Sequence, residues 1–153
     1  MKVNLNPKMI IVYLAYLLTS PVLLIFGFKY LFATEFMPYH STAIGMPWTE
    51  VEPGFQYVIL ALMKVVGGSF IALAIALLMI LVVPFRKGER WSFYAVPIMG
   101  IFCAGASLYA TLFIKLQTGA GTPWLAAGIP VVIYVAGIVL TYKDIRKKSN
   151  KAL

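Results

Sequence analysis

Charge is scarce in this chain. Only 12% of its 153 residues are charged and just five are acidic, whereas a soluble globular domain is about a quarter charged. With 61% of residues hydrophobic, a soluble fold of this length has too little interior to hide its apolar surface. Lipid must be the solvent for most of the chain. Cysteine and histidine occur once each, as Cys103 and His40. A single cysteine excludes an intrachain disulfide, a CxxC redox pair and a thiolate metal cage. Inside an apolar run, Cys103 reads as a small hydrophobe. A single histidine excludes a two-histidine haem within one chain and makes only a weak metal site beside Glu35 or Glu50. No phosphate loop, dinucleotide fingerprint or nucleophile triad is present. No cofactor is called for, and an enzymatic role has no motif to carry it.

Long apolar runs are what the sequence does have. Residues 9–28 form twenty positions without a charge, the length a spanning helix needs, ~20 residues. The run is too long for the h-region of a signal peptide, and no A-x-A site follows it. It therefore reads as an uncleaved first span. Pro21 is expected to kink this span, with Thr19 and Ser20 helping to satisfy the freed backbone groups. A second run covers residues 55–85, broken only by Lys64. As a helix it would be about 46 Å long, against a hydrocarbon core of about 30 Å, so it must tilt strongly or project. Its start is marked by T-E-V-E at residues 49–52, a capping-box pattern, followed by Pro53. Residues 91–114 and 123–142 supply a third and a fourth span. The fold class predicted is all-α: one domain over residues 1–153, an integral membrane four-helix bundle. A basic tail at residues 143–153 is expected to fray.

The charges are partitioned. Lys2, Lys8, Arg86, Lys87, Arg90, Lys143, Arg146, Lys147, Lys148 and Lys151 all lie before the first span, between the second and third, or after the fourth. The positive-inside rule puts these three segments, and so both termini, in the cytoplasm. That pattern predicts attraction to anionic headgroups at the cytoplasmic face and argues against nucleic acid as the partner. Trp48, Trp91 and Trp124 fall near predicted interfaces, as amphipathic aromatics do. No charged side chain is predicted at the bilayer centre, which argues against an ion-coupled pump.

The opposite face carries three lysines and three glutamates. Lys29, Lys64 and Lys115 map there from three helices, and the loop at residues 29–54 adds Glu35, Glu50, Glu52, His40, Tyr39 and Trp48. This outer cap is the candidate site, with Lys64 its leading member. Two readings stand side by side. Lysines at span ends snorkel, and acids favour helix starts, which needs no function at all. Alternatively, the cap covers a small pocket. For packing between helices, Gly68, Ala72 and Ala76 form one small-residue stripe, and Gly100, Ala104, Ala106 and Ala110 form others.

The run FMPYH at 36–40, MPW at 46–48, LMKVVGG at 62–68 and PFRKGERW at 84–91 resembles a group of small bacterial inner-membrane proteins of unknown function with four predicted spans. The matching stretch is roughly residues 36–91, with the first span leading into it. The resemblance implies a bacterial source and the cytoplasmic membrane; it brings no activity, cofactor or site residues. The general architecture is also similar to DoxX-like four-helix proteins, without a distinctive shared motif. Three functional classes follow. The first is a non-enzymatic protein binding lipid or a membrane-protein partner through its outer loop. The second is an oligomeric small-solute carrier or channel. The third is a membrane enzyme using His40 and nearby carboxylates on a lipid-soluble substrate.

Overall fold

The computed structural model describes the backbone of residues 5–150 and the side chains of residues 5–142. Lys2 and Lys151, counted in the charge partition, lie outside the described residues, as do the side chains of Lys143, Arg146, Lys147 and Lys148. The described residues are helical without strands: α1 (Pro7–Leu31), α2 (Pro38–Ile44), α3 (Pro53–Ile80), α4 (Ser92–Thr118) and α5 (Trp124–Asn150). Four of these helices are long and apolar enough to cross a membrane. The fold is thus an all-α bundle of four membrane-length helices, with α2 set into the long connection. The tail expected to fray instead continues α5 as helix to Asn150.

Each helix end has a chemical cause. The Asn6 side chain accepts a hydrogen bond from the Met9 backbone N–H at 2.9 Å, and Pro7 follows at the first helical position. Pro there forfeits only a donor that would be unpaired anyway. The start of α3 differs from the T-E-V-E expectation. Residues Trp48–Glu50 form a 3₁₀ turn, and the N-cap is Glu52, whose carboxylate accepts from Gly54 N–H at 3.4 Å. Thr49 lies inside this turn, three residues before the cap, and Val51 beside it is buried. The Gln56 amide ties this turn to α3 by donating to the Trp48 and Val51 carbonyls.

α3 does not stop at Ile80. It runs on as a π turn, Leu81–Phe85, around Pro84. Proline cannot donate, and the wider i→i+5 register accommodates that loss. The turn delivers Phe85 into the core against Tyr13, Tyr16 and Phe93. α1 continues as helix through Pro21. The help expected from its neighbours takes another form: Thr19 bonds the Tyr16 carbonyl, and the buried Ser20 hydroxyl has no partner.

α1 packs chiefly on α3 and α4 chiefly on α5, and the two pairs join through α1 and α5; α3 and α4 touch little. The close contact in the first pair is glycine on glycine. A Cβ on Gly67 would stand 2.5 Å from Leu31 N and 2.7 Å from Gly27 O, so these backbones meet directly. The stripe proposed from sequence is not the buried one. Gly68 has nothing near its missing side chain, while Gly67, Ala74 and Leu77 form the buried face. On α4, Gly100 and Ala104 are buried as expected, whereas Ala106 and Ala110 are exposed. Large apolar side chains such as Phe102, Leu116 and Val139 stay at least 70% exposed, a girdle that only lipid can cover without cost.

The core is continuous at the end of the bundle that carries the start of α1 and the Arg86–Arg90 turn. Met9, Val12, Tyr16, Leu77, Leu81, Phe85, Phe93, Val96 and Tyr134 fill it. The loop end is built differently. Lys64 donates to the carbonyls of Leu31 and Ala33, at 3.1 and 3.4 Å, which levels it with the end of α1. Residues 53–63 therefore project beyond α1, by about 16 Å. The connection folds onto that projection through a small second core of Phe36, Met37, Val51 and Met63. The over-long helix thus extends past the end of its α1 partner.

Candidate ligand cavity between the helices

Between the closed end and the folded loop lies a partly open cavity of about 280 Å³, near the lower edge of the usual range for ligand pockets, ~300–1,000 Å³. Its walls are mainly apolar and come from all four long helices. α1 contributes Val22, Leu23 and Phe26; α3 contributes Val66 and Phe70; α4 contributes Gly100, Ala104 and Ile114; α5 contributes Ala126, Ala127 and Pro130. Small residues on α4 and α5 leave the space, and sparse packing between α3 and α4 leaves it unfilled. No Lys, Arg, Asp or Glu lines it.

The floor is Tyr134 with Thr19, backed by Tyr16. The Tyr16 hydroxyl donates to the Tyr134 carbonyl at 3.1 Å, and their rings lie 5.0 Å apart. The Thr19 hydroxyl donates its one proton to the Tyr16 carbonyl at 2.7 Å. It must therefore accept from the Tyr134 phenol, 2.5 Å away. Two glycines make room for these rings: Gly137 faces the Tyr16 hydroxyl and Gly100 faces the Tyr134 ring.

The roof comes from the loop. Tyr39 and His40, on α2, both line the cavity, and α2 packs against α4. The hydroxyls of Tyr39 and Tyr30 bond each other. Burial and that bond push the Tyr39 phenol above its ordinary range, so it stays protonated. The His40 Nδ1 accepts from the Met37 backbone N–H at 3.3 Å. This assignment makes Nε2 the protonated nitrogen and leaves it free to donate. Burial lowers the His40 pKa, favouring the neutral ring.

One wall carries a polar stripe. Cys103, Ser107 and Thr111 recur every fourth residue along α4 and all face the cavity. Ser107 donates to the Cys103 carbonyl at 2.9 Å, and Thr111 to the Ser107 carbonyl at 2.8 Å. Their protons are spent on the helix, so toward a ligand their oxygens can act only as acceptors.

The sequence-derived cap is therefore divided. Tyr39 and His40 reach the cavity; Trp48 stands behind them, edge-on to Phe36 at 4.9 Å. Lys64 caps α1, Lys115 sits over the Trp124 ring at 4.8 Å, and Glu52 caps α3. Lys29, Glu35 and Glu50 are exposed on the outside. Sequence reasoning missed Thr19, Cys103, Ser107, Thr111 and Tyr134 as members of the site. The four-residue spacing of polar side chains within the third span was the signal for three of them. Among the described residues, no three His, Cys, Asp or Glu side chains gather to hold a metal. No family model, curated protein or solved structure matches this chain.

Proposed function

We propose that this protein is a multi-pass membrane protein that binds a small, uncharged, lipid-soluble molecule in the cavity beneath the Tyr39–His40 roof. The observation that carries the reading is the composition of the wall: apolar surface with a few hydrogen-bonding groups and no formal charge. An ionised ligand placed there would lose its hydration with no opposite charge in return. The closed tyrosine floor favours binding over conduction, because a path through a single copy would have to break the Tyr16–Tyr134 contact. A bacterial cytoplasmic-membrane setting with both termini cytoplasmic belongs to the same proposal and turns the roof outward.

The test is retention. Protein purified in a mild detergent and extracted with organic solvent should release a small molecule in stoichiometric amount. Ala104→Phe, which fills the cavity from α4, should release none while keeping its helical circular dichroism. Identical extracts from both proteins, after each is shown to be folded, would remove the cavity as the binding site.

A further inference from the structure

Resting on the binding reading above, we propose that the cavity selects a neutral hydroxyl compound, an alcohol or phenol, through a donor on its roof and acceptors on its α4 wall. Hydrogen-bond bookkeeping leads to this class. Ser107 and Thr111 have committed their protons to α4 carbonyls and offer only lone pairs. His40 has committed Nδ1 to the Met37 N–H and offers only an Nε2 donor. All three line the same cavity, and α2, which carries His40, packs against α4, which carries the other two. A hydroxyl is the simplest group that donates and accepts at once, so it can serve both sides. A ketone or ether would reach only the donor. A carboxylate would meet oxygen lone pairs on the α4 side and no cation anywhere in the wall.

The complement is preset by the fold, because each committed bond also belongs to a helix. The Ser107 and Thr111 bonds follow from their i→i−4 reach, and the His40 bond helps to start α2. The polar groups therefore hold their orientation before any ligand arrives, which lowers the ordering cost of binding.

The probes are a naphthol, its methyl ether and the corresponding naphthoate, with binding measured to the full chain in phosphatidylcholine nanodiscs. Protein-free discs and the Ala104→Phe variant correct for partition into lipid. The naphthol should bind roughly five- to tenfold tighter than the ether, about the worth of one neutral hydrogen bond, and the naphthoate should not bind. Ser107→Ala with Thr111→Val should abolish the preference while the ether still binds. His40→Leu should weaken the naphthol and the ether alike, because both accept from this donor. His40→Gln should keep both affinities, since its amide can accept from Met37 and still donate. Equal affinity for naphthol and ether in the unmodified protein would overturn the hydroxyl inference and leave the binding reading standing. Tightest binding of the naphthoate would overturn it in favour of an anion. Failure of all three probes would overturn the binding reading itself, and this inference with it.

Discussion

Gly100 on α4 and the Tyr134 ring on α5 occupy one another's space: a Cβ built on Gly100 would lie 2.2 Å from the ring carbon bearing the hydroxyl. That carbon is held, since its oxygen is bonded to Thr19 and the side chain is 1% exposed. Gly100→Ala should therefore expel the ring from its seat, break the Thr19 bond and open the floor. A loss of about 1–3 kcal/mol is expected, the usual cost of overpacking a core. Thermal unfolding in detergent reads it. Gly105→Ala is the control, because nothing lies within 4 Å of its missing side chain. An equal drop for both variants would show that helix flexibility, and not the ring contact, is what Gly100 provides.

A second pair of glycines separates packing from propensity. Gly67→Ala would press a methyl group onto the backbone of α1, at Leu31 N and Gly27 O. Backbone cannot swing aside as a side chain does, so α1 and α3 must part, at a cost near 3 kcal/mol, the upper end for overpacking. The adjacent Gly68→Ala meets open space. It should be neutral or stabilising by up to about 1 kcal/mol, through the lower conformational entropy of alanine in the unfolded chain. Unfolding midpoints of the two variants, measured side by side, should move in opposite directions or leave Gly68→Ala unmoved.

Those neighbouring glycines also mark the boundary of what the sequence discloses. Four apolar runs and the turns between them are one-dimensional signals, and the spans fell within a few residues of the observed helices. Which face of a helix turns inward depends on its partner. Choosing Gly68 over Gly67 is an error of 100°, one residue of helix, and only the approach of Gly27 decides it. The site was legible to the same degree. Tyr39 and His40 stood out as polar residues in the only long loop, and they do form the cavity roof. Lys64 stood out more strongly as a charge in an apolar run, yet it answers a local need, the unpaired carbonyls at the end of α1. Ser107 and Thr111 went unremarked because a hydroxyl that bonds its own helix looks innocuous in a span. Their importance arises only from the empty space opposite them, which is a property of four helices together.

Lys64 leads to a third prediction. Its ammonium bridges the Leu31 and Ala33 carbonyls, at the point where α1 gives way to the loop. Lys64→Met keeps the stem and removes the donor. Because the lysine is exposed, water can replace it, and the global stability change should be small, about 1 kcal/mol or less. The local effect should be larger in kind. Backbone amides of residues 33–52 should exchange with solvent faster, while those of α4 and α5 stay unchanged. Uniform acceleration along the chain would instead place Lys64 among the determinants of the whole bundle.

The roof should loosen in acid. The His40 ring lies among Tyr39, with centroids 4.2 Å apart, and Phe36, at 6.2 Å. Neither supplies a charge, since the Tyr39 phenol is held protonated. Burial lowers the folded His40 pKa below the ordinary value of 6.5, so the opened loop binds a proton more readily than the closed one. The contribution of His40 is complete above that ordinary value. It falls as pH drops through it and levels off below the folded pKa. Protonation would also turn Nδ1 from acceptor to donor, against the Met37 N–H that it now receives. Trp48, packed on Phe36, reports the loop. Emission in lipid nanodiscs should change between pH 7 and pH 5 in the unmodified protein, and the same titration of His40→Gln should be flat, because glutamine keeps the acceptor without taking up a proton. Trp91 and Trp124 lie outside the loop and contribute a background common to both proteins. An identical acid transition in the two would assign the response to another group, with Glu35, Glu50 and Glu52 the next to substitute.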